Sequence, residues 1–135
     1  MKKIFTISSF IILFSLLLSG CYRRDAGFSN EDSWLSKERA QVVYSDSYCN
    51  YYVIQINNSY TIIRAYGGYK PAEGSVIYGD FYYSGVQDIY NHSSGLVFTG
   101  TITDYGLSFD ETQQALDFYC PMGGKSASSS GFRKK

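Results

Sequence analysis

Apolar and polar positions change rhythm along the 135 residues of this chain, and each rhythm predicts an element. From Ile4 to Leu18 the chain is apolar, broken only by Thr6, Ser8, Ser9 and Ser15. Residues 22–36 are polar, with Trp34-Leu35 as the exception. From Tyr48 the period becomes two, the signature of a half-buried strand. Tyr52, Ile54 and Ile56 share one face, and Val53 and Gln55 the other. Asn57-Asn58-Ser59 is turn chemistry, so the chain returns through Tyr60 to Tyr66 as a hairpin. Arg64 then points outward while Ile63 and Ala65 point inward. Glu73-Gly74 opens a further strand. Ile77, Gly79 and Phe81 fall on one face of it, and Val76, Tyr78 and Asp80 on the other. Gly79 marks a bend or a close backbone approach. After Gly85 comes a strand from Val86 to Tyr90, then a loop, Asn91 to Gly95. Leu96 to Thr103 shows the strictest alternation: Leu96, Phe98, Gly100 and Ile102 against Val97, Thr99, Thr101 and Thr103.

The rhythm then switches to 3.6. Ser108 precedes Glu111 by three residues, the pattern of a capping box. Thr112, Ala115, Leu116, Tyr119 and Cys120 follow at helical spacing and form one apolar side. Pro121 and Gly123-Gly124 end the helix. A short helix is also expected from Ser36 as N-cap through Ala40. Asp32 to Ser36 and Asp104 to Ser108 have similar sequences, so both are expected to start helices. Trp34 is expected to dock on the edge of the domain.

These elements predict a mainly β domain: a small antiparallel curled sheet or partly open barrel with a C-terminal helix. Pro71 to Gly79 resembles the strand entry of small OB-like and SH3-like barrels. That resemblance implies a barrel and names no ligand. The expected layout is a leader at 1–20, a tether at 21–39, a β-domain at 40–122 and a disordered basic tail at 123–135.

The front segment has the three parts of an export signal. Met1-Lys2-Lys3 is the charged start, the apolar run is the core, and Leu18-Ser19-Gly20 is a small-residue exit. A 15-residue helix reaches about 22 Å, short of about 30 Å of hydrocarbon. Leu18-Ser19-Gly20-Cys21 resembles the lipobox of bacterial lipoproteins. The resemblance implies that Cys21 takes a diacylglyceryl group and becomes the first mature residue. It further implies attachment to a membrane of the cell envelope, with the outer membrane of a Gram-negative bacterium expected. One acyl chain binds a bilayer marginally, at about 0.8 kcal/mol per methylene, and two or three hold firmly.

Two cysteines then remain, Cys49 and Cys120. An exported protein sits where disulfides persist, so a bond between them is expected. Closing so long a loop contributes about 4 kcal/mol in the chain-entropy model. A reactive or metal-binding pair is the alternative, but the chain has no C-x-x-C and its one histidine is His92.

Charge sharpens the picture of partners. Residues 40–122 hold two basic residues, Arg64 and Lys70, against eight acidic ones. An acidic domain has the wrong sign for tracking phosphates, so no nucleic acid is expected. Nucleophile, metal and phosphate motifs are absent from the sequence. His92 would matter chemically only with a carboxylate such as Asp88 beside it. No catalytic residue, no metal and no cofactor is expected.

Tyrosine is the unusual feature. The chain has 14, all after residue 20. Strand alternation sends Tyr66, Tyr78 and Tyr82 outward, with Tyr69 beside them in a glycine loop. Exposed tyrosines offer rigid amphipathic contact area. They are expected to form one patch for an envelope protein or glycan. The expected role is therefore a membrane-anchored, non-catalytic binding or interaction module. A structural envelope lipoprotein and a small envelope hydrolase are the alternatives.

Overall fold

A computed structural model describes residues 31–121. The expected leader, the lipidation site Cys21, most of the tether and the basic tail lie outside the described residues. A helix α1 (Glu31–Leu35) leads into strands β1 (Glu38–Ser45), β2 (Tyr51–Ile56) and β3 (Ser59–Ala65). Strands β4 (Val76–Gly79), β5 (Gly85–Asn91) and β6 (Leu96–Leu107) follow, and then helix α2 (Phe109–Tyr119).

The six strands close into an antiparallel barrel in the order β1-β2-β3-β6-β5-β4. Two three-strand meanders build it, joined where β3 pairs with β6 and β4 with β1. The expected barrel is therefore present, and it is closed rather than partly open. Closure leaves no unpaired sheet edge, which an isolated meander would expose. β3 and β4 are consecutive in the chain but stand on opposite sides of the ring. Residues 66–75 must therefore cross from one wall to the other. Lys70 fastens this crossing by donating to the carbonyls of Asp46 and Cys49. The N–H of Gly74 adds a bond to the carbonyl of Val42 at 2.8 Å.

The barrel interior holds Ala40, Val42, Tyr52, Ile54, Ile56, Ile63, Ile77, Phe81, Ile89 and Ile102, with Phe98 packed against them. The inward faces read from alternation are found there for Tyr52, Ile54 and Ile56 of β2, Ile63 of β3, Ile77 and Phe81 at β4, and Phe98 and Ile102 of β6, whereas Leu96 at the start of β6 is exposed and Ala65 at the end of β3 is half-buried. Gly100 makes the packing possible. A Cβ on it would lie 2.7 Å from Cγ2 of Ile63 and 3.1 Å from the Tyr52 hydroxyl. The Tyr52 hydroxyl is fully buried and has no hydrogen-bond partner among the described residues. Burial, and secondly Tyr69, push its pKa upward.

A second apolar layer lies outside the barrel. Tyr44, Val53, Tyr60 and Ile62 pack under Leu116 of α2, with Cys49 and Cys120 in the same cluster. Tyr44 reaches this layer through a β-bulge: Val42 pairs with Ile54, Tyr44 pairs with Val53, and Val43 is the extra residue. One extra residue flips every later side chain to the other face. Helix α2 begins with the expected capping box. The Ser108 hydroxyl accepts from the Glu111 N–H at 3.3 Å, and the Glu111 carboxylate accepts from the Ser108 N–H at 2.7 Å. Those bonds, backbone first, hold the Glu111 pKa below its ordinary value. Tyr119 stacks on Tyr51 at 4.5 Å and donates to Asp104 at 2.7 Å. Cys49 and Cys120 are bonded, with Cα atoms 5.6 Å apart, which ties the end of α2 to the start of β2.

The beginning of the domain differs from expectation. No helix spans Ser36 to Ala40. The short helix is Glu31–Leu35, and Ser36 follows it, its hydroxyl donating to the Ser33 carbonyl at 2.8 Å. Glu38–Ser45 is a strand, so the barrel starts before residue 40 and before the alternation at Tyr48. The bulge at Val43 interrupts the period of two and hides this strand from a pattern reading. The likeness between Asp32–Ser36 and Asp104–Ser108 is not structural either. The first lies mostly within a helix, while the second is the end of β6 leading to a helix N-cap.

Candidate functional site

The outer wall not covered by α2 runs across β2, β1, β4 and β5. Alternation decides which side chains it shows. Ala40 and Val42 face the interior, so Arg39 and Gln41 face out. Gln41 pairs in register with Gln55, and Arg39 with Tyr78. Tyr78 pairs in turn with Tyr90 of β5. At about 4.8 Å between strands, Arg39, Tyr78 and Tyr90 form a row across three strands about 10 Å long.

At one end of this row is a groove of about 310 Å³ lined by Arg39, Gln41, Gln55 and Asn57. All four side chains are polar. The Gln55 amide donates to the Asn57 carbonyl at 3.1 Å. The Arg39 guanidinium has no hydrogen-bond or ion-pair partner among the described residues. At the other end is an aromatic cluster. Tyr78 and Tyr90 each lie against His92, at 5.9 Å and 6.1 Å between ring centroids. Trp34 stacks on Tyr90 at 6.1 Å, so it docks on the domain as expected. Helix α1 is held there by polar contacts as well. The Tyr90 hydroxyl donates to Glu31 at 3.1 Å, and Lys37 pairs with Asp80 at 2.6 Å while lying 5.0 Å from the centre of the Trp34 ring. Burial, then the bond to Glu31, push the Tyr90 pKa up.

The four expected binding tyrosines do not form one patch. Tyr78 belongs to the open wall and is half-buried there. Tyr66 is exposed at 57 %, but it follows β3 on the far side of the ring. Tyr82, exposed at 40 %, lies in the turn between β4 and β5. Tyr69 turns inward: its ring meets Phe98 at 4.9 Å and its hydroxyl accepts from Asn91 at 3.2 Å. Neighbours in sequence are not neighbours in the sheet, because the crossing of residues 66–75 separates β3 from β4.

The expected disulfide partners, Cys49 and Cys120, do come together. His92 and Asp88 are engaged elsewhere. His92 lies among rings, and the Asp88 carboxylate accepts from Thr99 at 3.0 Å. Among the described residues no group of three or more His, Cys, Asp or Glu gathers as a metal site would need. None of their helices is long and apolar enough to cross a membrane. Pattern reading missed Arg39 and Gln41. The signal was present in Arg39 to Val42, polar and apolar in strict alternation, but four residues were too few to outweigh the helix-favouring residues before them.

No protein-family model, no curated protein and no solved structure matches this chain.

Proposed function

We propose that this chain is a lipoprotein of the bacterial cell envelope, anchored at Cys21, whose barrel is a non-catalytic binding module. The open wall takes the partner, an envelope glycan or protein, and the outer membrane of a Gram-negative cell is where it acts. One observation carries this reading: the two outer walls are unequally finished. Residues Val53, Tyr60 and Ile62 are sealed under α2, whereas the row from Asn57 and Arg39 to Tyr78 keeps polar side chains and a ring at the surface. A few convergent polar groups fix a ligand's orientation in a binding site, and aromatic surface beside them supplies contact area.

Two measurements test it. Metabolic labelling with palmitate should mark the wild type and not Cys21→Ser, which should leave the membrane fraction. Equal lipid and equal fractionation of the two would overturn the anchor. Separately, Tyr78→Ala should weaken capture of envelope glycan or protein at least tenfold without unfolding the barrel. Unchanged capture would overturn the assignment to this wall.

A further inference from the structure

We infer that the groove between β1 and β2 is a subsite for a carboxylate-bearing saccharide, with Arg39 on the carboxylate and Gln41, Gln55 and Asn57 on the hydroxyls. This deepens the proposed function and rests on its claim that the open wall binds a ligand.

The donor set argues for that chemistry. A guanidinium is a planar fork of N–H groups and matches a carboxylate in two parallel bonds. Arg39 has that fork free of any partner among the described residues. Primary amides both donate and accept, as hydroxyl groups do. Three of them line the groove with Arg39. Gln41 and Gln55 are directly opposite on adjacent strands, so their Cβ atoms stand about 5 Å apart. Arg39 lies two residues from Gln41 on the same face, about 7 Å along the strand. The patch so framed is the size of one sugar ring. The bond from the Gln55 amide to the Asn57 carbonyl fixes that side chain before any ligand arrives and leaves its Oε1 as an acceptor. Tyr78 is the register neighbour of Arg39 on β4 and supplies an aromatic face for the next ring.

Other ligands fit less well. The groove lining has no apolar side chain to anchor a peptide. A polyanion that tracks a backbone needs several cations, and residues 31–121 hold only Lys37, Arg39, Arg64 and Lys70 against eleven carboxylates. Of these four, Lys37 is paired with Asp80 and Lys70 is committed to backbone carbonyls. The groove can neutralise a single carboxylate, and a mildly acidic saccharide presents one at a time.

The test uses the full lipidated protein in detergent micelles. The probes are a disaccharide of a hexuronic acid with an N-acetylhexosamine and the same disaccharide with its carboxyl methyl-esterified. Calorimetric titration of the wild type should show the free acid binding about tenfold more tightly, the effect of one charge-assisted pair. Arg39→Gln should abolish that preference while still binding the ester. Gln41→Ala should weaken both probes, and both variants should melt with the wild type. Equal affinity of the wild type for the two probes, or a preference that survives Arg39→Gln, overturns the inference. Failure to bind either disaccharide also overturns it. The wider reading falls only if Tyr78→Ala leaves the capture of envelope material unchanged, so the two can fail separately.

Discussion

The two outer walls of this barrel come from the same tyrosine-rich, β-branched chain, yet they are finished in opposite ways. In β2 and β3, both faces are buried over much of their length. Tyr52, Ile54 and Ile63 fill the barrel, while Val53, Tyr60 and Ile62 sit under α2. In β1, β4 and β5 one face is buried. The other carries Arg39, Gln41, Tyr78 and Asp88; among the described residues the five-residue helix α1 rests on part of it, and α2 reaches it at Tyr44, beyond the bulge in β1. On the proposed function, the difference separates the wall that stabilises the fold from the wall that meets a partner. The covered wall has an extra apolar layer, a capping box and a disulfide. The open wall has polar side chains whose loss is expected to cost the fold little.

The largest expected effect lies in the covered wall. Cys49→Ala breaks a bond across a sequence separation of 71 residues. A loss of about 4 kcal/mol in denaturant unfolding is expected, by the chain-entropy model. A loss below about 1 kcal/mol would show that the second layer holds without its covalent tie. Next comes Gly100→Ala in the shared interior. The added methyl would stand 2.7 Å from Ile63, an overpacking that costs about 1–3 kcal/mol. Neutral behaviour would mean that the interior is looser than the contacts at Gly100 indicate.

Ser108→Ala removes the cap of α2 and should cost about 1 kcal/mol in thermal unfolding. The same box makes a pH prediction. The Glu111 pKa is lowered in the folded protein, so the stability it contributes is complete above the unfolded carboxylate pKa. That contribution is lost as pH falls through the lower folded value. Glu111→Gln should therefore flatten this acid-side loss, and an unchanged acid profile would separate the cap from the stability of the covered wall. The smallest effect is expected on the open wall. Arg39→Gln should shift stability by less than about 0.5 kcal/mol, as surface substitutions do. A larger loss would make Arg39 structural and end the contrast between the walls.

Much of the covered wall was legible in the sequence. Ser108 and Glu111, and the spacing of Thr112, Leu116 and Cys120, specify α2 by local chemistry alone. The alternation of Tyr52, Ile54 and Ile56 specifies the inward face of β2, because a slip by one residue would exchange these large apolar side chains for Val53 and Gln55. The open wall was less legible, for two physical reasons. The bulge at Val43 moves Tyr44 from the interior to the outer layer, so β1 lacks a continuous period. The ring order places β4 beside β1 rather than beside β3, so Tyr66 and Tyr78 separate and Arg39 and Tyr78 meet. Such pairing is long-range and leaves no mark in the spacing of residues. The closure of the barrel is hidden for the same reason.

If the open wall is the surface that binds, a partner should shield it from solvent. Hydroxyl-radical footprinting of the full-length protein, with and without an extract of envelope glycans and proteins, tests it at single rings. Tyr78 and His92 should lose reactivity when the extract is present. Tyr48, Tyr66 and Phe118, exposed near the disulfide, should react as before. Protection of Tyr48, Tyr66 and Phe118, with Tyr78 and His92 unchanged, would contradict it and move the binding surface to the end of the barrel that α2 and the disulfide build.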